Sequence, residues 1–183
     1  MIRSNLRHAT LLFLIAASLT SCSSNVIIST PAATQVTVFG DPFAYCEAVG
    51  TIDTPDARYA GAAMPEVIVK GLMKVFNAPP DAPLDFFARG SFWRCMDGKV
   101  YACSVGANIP CESKADTRTT PNEGMTNWCS ANPDTDFIPA SAAGRETVYE
   151  WRCTKGAPQI VRQVLSPDAG GFISAFWYLI SPS

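Results

Sequence analysis

The sequence predicts an α+β domain: a mainly antiparallel sheet or partial barrel with about two helices, held together by disulfides. The phrase W-R-C-x-x-G occurs twice, at residues 93–98 and 151–156, and each copy is typical of a strand that enters a tight turn. Two segments with helical signals lie between the strand-like runs. Six cysteines in the same part of the chain could form three bridges.

Residues 1–21 have the composition of an export signal. Arg3 and Arg7 form a basic region, and the apolar run that follows is shorter than the about 20 residues needed to cross a bilayer. The run closes with LTSC at residues 19–22, which resembles the lipobox of bacterial lipoproteins. The resemblance implies cleavage before Cys22, a diacylglycerol on its thiol, and a lipid-anchored protein on the outer membrane facing the periplasm or on the cell surface. The alternative is an ordinary signal peptide with a chance cysteine.

Residues 22–34 are small, hydroxylated and uncharged, which predicts a flexible tether to a single globular domain at residues 35–183. Val26–Ile28 could instead form a docked strand. The formal net charge of −2 becomes about −4 once Arg3 and Arg7 leave with the signal, and no basic cluster stands out. We therefore expect no nucleic-acid partner.

The cysteine count agrees with export. Assigning Cys22 to lipid leaves an even set of six, which indicates three disulfides with 15 possible connectivities. No C-x-x-C occurs, and the only histidine, His8, lies in the signal. Without imidazole or free thiols the mature domain has no Ser-His-Asp triad, no Cys-His pair and no histidine-bearing zinc site. The disulfide set is Cys46, Cys95, Cys103, Cys111, Cys129 and Cys153.

The elements before the first repeat are two short strands and a helix. Alternation at residues 35–39 and the aromatic, β-branched run at residues 43–52 predict the strands. Residues 65–76 predict the helix, because Ile68, Leu72 and Phe76 fall one turn apart. Asn77 and the prolines that follow end it.

The first repeat predicts a hairpin register. A two-residue turn at Asp97-Gly98 places Cys95 opposite Val100 and Cys103 opposite Phe92. Cys95 and Cys103 then lie on different faces of the sheet, which disfavours a bridge between them.

The elements after the first repeat are one helix and further strands. Thr120-Pro121-Asn122-Glu123 has the pattern of a capping box that opens a helix ending at Asn132-Pro133. Cys129 on that helix would point into the core and link it to the sheet. The second repeat continues through residues 159–165, and the apolar run at residues 172–180 predicts a buried final strand.

No residue pattern selects a catalytic site, a metal site or a cofactor site. Acid–base chemistry would fall to carboxylates, but the spacing of the candidates favours no pair. The segment at residues 132–136 lacks the glycine and distal glutamate of a calcium loop. The candidates for acid–base chemistry are Asp41, Glu47, Asp53, Glu112, Asp136, Glu146 and Glu150.

Two features are candidates for binding. The uncharged loop at residues 105–110 has a cysteine at each end, and such loops are often held rigid for recognition. Arg94 and Arg152 each follow a tryptophan, so both are expected on the outer face of a sheet if the tryptophans are buried. With Tyr101 beside Arg94, that face could bind an anionic or aromatic group.

The two hairpin phrases at residues 93–98 and 151–156 are similar to the aromatic-x-Cys-x-x-Gly hairpins of membrane-bound inhibitors of c-type lysozyme. The present domain is longer and has more cysteines. Because the mature chain lacks histidine and nucleophile motifs, we expect a non-enzymatic binding or inhibitor-type module whose partner is an envelope protein or a cell-wall component. Two alternatives stay open: a carboxylate-dependent hydrolase of glycans, and an accessory subunit of an outer-membrane assembly.

Overall fold

The structure is a computed structural model that describes residues 37–182. The export signal at residues 1–21, the lipobox with Cys22 and the tether at residues 22–34 lie outside this part, as does the alternative strand at Val26–Ile28. Among the described residues, no helix is long and apolar enough to cross a membrane.

The fold is α+β with antiparallel sheets, as predicted. One sheet has three strands in the order β1-β2-β5 and the other pairs β3 with β4, and neither closes into a barrel in the described part. Five α-helices are present there, so the expectation of about two was too low. The helices are α1 (Pro42–Val49), α2 (Glu66–Val75), α3 (Leu84–Arg89), α4 (Glu123–Ala131) and α5 (Ala140–Ala143); the strands are β1 (Ser91–Met96), β2 (Lys99–Ser104), β3 (Tyr149–Thr154), β4 (Ala157–Gln163) and β5 (Tyr178–Ile180).

Both repeated phrases form β-hairpins. In the first, Cys95 pairs with Val100 and Phe92 with Cys103, which confirms the predicted register. Asp97 and Gly98 have φ of 51° and 73°, and the turn residues of the second hairpin, Lys155 and Gly156, have φ of 51° and 79°. Two successive positive φ values give the turn that matches strand twist, and glycine adopts the second at little cost.

The three-stranded sheet is covered on both faces. Helices α1 and α2 pack on one face, where Trp93 and Cys95 are buried against Tyr45, Ile68 and Leu72. The opposite face is covered by residues 168–177, which we call the C-terminal segment, and by the loop that ends at Cys111. The side chains buried there are Cys103, Cys111, Phe172 and Trp177. The two covered faces explain why consecutive residues of β1 and β2 are buried rather than alternate ones.

The two-stranded sheet has a separate core on one face only. Trp151 and Cys153 of β3 pack against Met125 and Cys129 of α4 and against Ile138. The other face of β4 is open, and Val161 is exposed. A hairpin buried on one side shows the period-two alternation that a one-sided core requires.

All six cysteines of the described part are in disulfides, as predicted. The cysteine of each W-R-C-x-x-G phrase is joined to a helix that precedes it, and the third bridge closes the loop after β2. The pairs are Cys46–Cys95, Cys129–Cys153 and Cys103–Cys111. The link from α4 to the sheet through Cys129 is therefore confirmed, and Cys95 does not pair with Cys103.

The two hairpins contact their disulfide-linked helices in the same way. In each unit, the backbone carbonyl four residues after the helix cysteine accepts a hydrogen bond from the N–H of the turn glycine. The side chain of the residue after that carbonyl accepts from the N–H of the first turn residue. In a third bond, the N–H of the cysteine in β1 or β3 donates to the backbone carbonyl six residues after the helix cysteine. The bonds are Gly98 to Gly50 (2.9 Å), Asp97 to Thr51 (3.0 Å) and Cys95 to Ile52 (3.1 Å) in the first unit, and Gly156 to Pro133 (2.9 Å), Lys155 to Asp134 (2.9 Å) and Cys153 to Thr135 (2.9 Å) in the second.

Several element predictions were wrong. Residues 43–49 of the predicted strand at 43–52 lie in helix α1, because Asp41 accepts from the N–H groups of Phe43 and Ala44 and Pro42 opens the first turn. Beyond the helix, Ile52 makes an isolated bridge to Cys95. Of the predicted strand at residues 35–39, residues 35 and 36 lie outside the described part, and Phe39 makes an isolated bridge to Tyr59. Helix α4 is capped by Asn122, two residues after the threonine of the predicted box.

The predicted final strand at residues 172–180 was wrong over most of its length. Only β5 is a strand, and a short 3₁₀ turn at Ser174–Phe176 precedes it. The side chains of Phe172 and Trp177 on either side of this turn pack against the sheet instead of pairing with it.

Candidate functional site

Arg94 lies on the face of β1 opposite Trp93, but its side chain is buried. Its exposed fraction is 0%, so the expectation that it emerges into solvent was wrong. The reason is the C-terminal segment, which covers this face and ion-pairs Asp168 with the Arg94 guanidinium. A charge buried this deeply needs a partner of opposite sign, and Asp168 supplies it.

Two aromatic rings that pack edge-on against each other, with centroids 5.3 Å apart, both contact the Arg94 guanidinium. Its central carbon lies 4.4 Å from the ring centroid of Phe172 and 4.4 Å from that of Trp177. The Nε and Nη1 atoms of Arg94 are buried without a hydrogen-bond partner in the described part of the protein. Lys114 also contacts Phe172, with Nζ 4.0 Å from the ring centroid, and ion-pairs with Asp53. This cluster, together with the Arg94–Asp168 ion pair, joins the C-terminal segment to the sheet.

The two other predicted binding residues do not form one site with Arg94. Tyr101 is paired with Arg94 across the hairpin, as predicted, and is half-buried in the same cluster. Arg152 is exposed on β3 of the other sheet. Because the C-terminal segment covers Arg94, the first hairpin does not present the expected arginine–tyrosine surface to solvent. Arg152 is accessible.

The disulfide-closed loop at residues 105–110 borders a cleft. Cys103 and Cys111 are joined, and Gly106 and Ile109 form a bridge inside the loop. Asn108 lines a cavity of about 320 Å³ together with residues of the second sheet and of the C-terminal segment. We call this the aromatic cleft; its aromatic lining is Phe137, Tyr149, Trp151 and Phe176, and its polar lining includes Asn108, Arg145, Thr147 and Glu150.

Local packing fixes the walls of the aromatic cleft. Trp151 is 3% exposed, and its Nε1 donates to Thr147 Oγ1 at 3.2 Å. Tyr149 packs edge-on against Trp151, with ring centroids 6.4 Å apart. Edge-on pairs of this kind hold each ring in one orientation. Tyr149 and Trp151 therefore form a restrained aromatic part of the cleft wall.

Phe137 is the accessible ring of the aromatic cleft. Its exposed fraction is 61%, although the next residue, Ile138, is buried and donates its N–H to the carbonyl of Trp151 at 2.8 Å. The anchored neighbour presents the Phe137 ring at the mouth of the cleft. Fixed aromatic faces with a few polar groups at the rim bind apolar side chains or the flat faces of sugar rings.

Several carboxylates that a hydrolase could use are held in ion pairs. Asp53 pairs with Lys114, Asp168 with Arg94, and Glu150 with Arg162 at 2.7 Å. In this arrangement the three carboxylates serve as structural ion-pair partners of cationic side chains.

Other carboxyl groups have a pKa that moves in the wrong direction for a general acid. Hydrogen bonds from the Arg58 side chain and amide lower the pKa of Asp56 to about 2. Hydrogen bonds from Arg118 lower the pKa of Asp116, and the Lys70 ammonium lowers that of Glu66. These three groups are ionised at neutral pH and accept hydrogen bonds.

Among residues 37–182 no cluster of three or more histidine, cysteine, aspartate or glutamate side chains could hold a metal ion. The segment at residues 132–136, which partly resembles a calcium loop, contacts the second hairpin. Asp134 accepts from the amide of Lys155 and so supports the second hairpin turn.

The sequence predicts the loop that contributes Asn108 but not the rest of the aromatic cleft. Phe137 lies in an irregular segment, and Phe176 comes from a turn where a strand was expected. Their proximity depends on how two distant parts of the chain pack, and no local pattern reports that. Comparison of the chain with protein-family profiles, curated proteins and solved structures finds no match.

Proposed function

We propose that the protein is a lipid-anchored module of the bacterial envelope that binds another protein or a cell-wall component and has no catalytic activity of its own. The observation that carries the binding role is the aromatic cleft, in which the exposed ring of Phe137 lies beside fixed rings and a disulfide-closed loop. Such a surface suits recognition, because little conformational freedom is lost when a ligand docks.

The cysteines support an extracytoplasmic location. All six in the described part are oxidised in pairs, which is the usual state in an oxidising compartment. Cys22 is then the one cysteine of the seven outside this set, and its place at the end of the lipobox-like sequence supports acylation.

Replacing Cys22 with alanine tests the anchor. Cells that express the wild-type chain should incorporate labelled fatty acid into the protein and retain it in the membrane fraction. The Cys22→Ala chain should lose both the label and the membrane retention. Acylation of the Cys22→Ala chain would overturn the lipobox assignment.

The similarity of both hairpins to lysozyme inhibitors makes a glycan-cleaving enzyme one candidate partner. Purified c-type lysozyme tests this candidate. If inhibition depends on the aromatic cleft, the wild-type protein should slow cell-wall lysis by lysozyme and the Phe137→Ala variant should not. Isolated cell-wall sacculi test the other candidate, since binding would carry the protein into the pellet. If neither reagent binds, the remaining candidate ligand is a protein of the envelope.

A second cavity favours the hydrolase alternative. It has a volume of about 320 Å³ and is lined by Asp53 and Glu112 beside the rings of Phe92 and Trp177. Most glycan hydrolases use a pair of carboxyl groups that flank the scissile bond, and this cavity is lined by two. Release of soluble fragments from sacculi, abolished by Glu112→Gln, would support this alternative over the binding module.

A further inference from the structure

We propose that an exposed apolar patch at the end of α2 and on α3 rests on the membrane that holds the lipid anchor, with the ring of Phe86 inserted among the acyl chains. This inference rests on the lipid anchor of the proposed function and adds the orientation of the domain on the bilayer. The patch, which we call the α3 patch, consists of Val75, Phe76, Leu84 and Phe86.

The α3 patch is exposed, and its two rings are linked through Phe87. Phe86 is 70% exposed, and Val75, Phe76 and Leu84 are each between 38% and 39% exposed. The rings form a chain: Phe86 contacts Phe87 edge-on at 5.7 Å, and Phe87 stacks on Phe76 at 6.5 Å. Scattered exposed apolar residues need no explanation, but a connected group marks an interaction surface.

Helix α3 contributes little to the core of the domain. None of its six residues is buried, although two are phenylalanines. It packs against α2, and prolines at positions 79, 80 and 83 restrict the connection between the two helices. Helix α3 therefore exposes the ring of Phe86 while its backbone is held against α2.

The charges around the α3 patch cancel. Lys70 is ion-paired with Glu66, and Arg89 with Asp85, both four residues apart on their helices. The mature chain as a whole carries a net charge of about −4, which anionic head groups would repel. A locally neutral apolar surface avoids that repulsion, so this face suits a bilayer containing anionic lipid.

The tether is long enough for this orientation. Residues 22–36 lie between the proposed acylated cysteine and the described domain, and an extended chain spans at most about 3.3–3.6 Å per residue, or roughly 50 Å here. A domain of this size has a radius of gyration of about 15 Å. The tether therefore permits any face to reach the bilayer, and apolar burial decides which face stays there.

A bilayer fits the shape of the α3 patch better than a folded partner does. Protein interfaces concentrate their energy where side chains enter complementary pockets. A single protruding ring flanked by smaller apolar groups needs no complementary pocket in lipid, and its burial is favourable wherever acyl chains are accessible. The anchor keeps such a surface beside lipid at all times.

Photolabelling from within the bilayer tests the orientation. The acylated full-length protein, purified from the envelope, is reconstituted in phosphatidylethanolamine–phosphatidylglycerol vesicles that contain a lipid with a diazirine in its acyl chain. After irradiation, mass spectrometry locates the labelled peptides and shows whether the N-terminal peptide carries acyl chains. We expect label in the peptide that contains Phe86, a loss of about tenfold or more in Phe86→Ser, and no change in Val161→Ser.

The readouts separate the two proposals. An acylated N-terminal peptide with label confined to that peptide would overturn the orientation and leave the anchor in place. Equal labelling of Phe86→Ser and Val161→Ser would also overturn the orientation. An N-terminal peptide without acyl chains would overturn the anchor itself, and with it the basis of this inference.

Discussion

The guanidinium of Arg94 is ion-paired with the carboxylate of Asp168, 74 residues away in sequence, and both side chains are buried. Asp168 also accepts from the amides of Gly170 and Phe172 through its other oxygen, at 2.8 Å and 3.1 Å. One carboxylate thus shapes the C-terminal turn and joins it to the sheet. The pair is structural, because the cover that it holds in place removes Arg94 from solvent.

Replacing Arg94 with methionine should destabilise the fold strongly. Asp168 would be left in a buried site without its partner, and removal of one member of such a pair costs about 3–5 kcal/mol. Arg152→Met is the matched control, since Arg152 follows the tryptophan of the other repeat and is exposed; its effect should stay within about 0.5 kcal/mol. Urea unfolding measures both, and equal midpoints for the two variants would contradict the structural role of Arg94.

Trp151→Ala should lower the free energy of unfolding by about 3–5 kcal/mol, because the ring is 3% exposed and lies in the core of the second sheet. Phe137→Ala, at a ring that is 61% exposed, should change it by about 0.5 kcal/mol or less. Thermal unfolding followed by circular dichroism distinguishes the two. A near-neutral Trp151→Ala would place the ring on the surface.

The disulfides should differ in their contribution to stability. The loops closed by Cys46–Cys95 and Cys103–Cys111 have sequence separations of 49 and 8. Chain entropy then predicts a loss of about 4 kcal/mol when the first pair is replaced by alanines and about 2.5 kcal/mol for the second. Chemical denaturation of the two double variants measures the difference. A larger loss for the short loop would contradict the entropic explanation.

Acid should weaken the fold in part through Asp56. The Arg58 hydrogen bonds lower the pKa of Asp56 to about 2 from an ordinary value of 3.8, so the folded protein favours the ionised form. The resulting stabilisation is present above about pH 4 and is lost as the pH falls through the folded pKa. The urea midpoint of Asp56→Asn should lie below that of the wild type at pH 6, and the two should converge near pH 2. A constant gap across this range would exclude the contribution.

The hairpins were predictable because their information is local. Asp97-Gly98 and Lys155-Gly156 supply the positive φ values that the turn needs, and the register follows from the turn. Helix α2 was predictable for the same reason, since its buried residues Ile68 and Leu72 repeat at helical spacing.

Helix α1 was missed because two local signals conflict. The aromatic and β-branched residues of the segment at 43–52 favour a strand, whereas Asp41 and Pro42 are a helix start signal. The cap and the packing of Tyr45 and Cys46 against the sheet outweigh the intrinsic preference. Residue type alone is therefore a poor guide to this segment.

The environment of Arg94 could not be predicted from the sequence. The register correctly puts its side chain opposite Trp93, but exposure depends on what covers the sheet. That cover comes from residues 168–177, where a strand was expected over part of the length. The aromatic cleft was missed for the same physical reason, because Phe137 and Phe176 meet only through tertiary packing.

The proposed function depends on the binding of an envelope ligand in the aromatic cleft. The most direct measurement is quantitative affinity capture from the native envelope with three immobilised proteins: wild type, Phe137→Ala and Val161→Ala. Phe137 lies at the mouth of the cleft, and Val161 is an exposed apolar residue on the open face of β4. We expect a component that is enriched by wild type and Val161→Ala and lost with Phe137→Ala; equal recovery by all three proteins would contradict binding in the cleft.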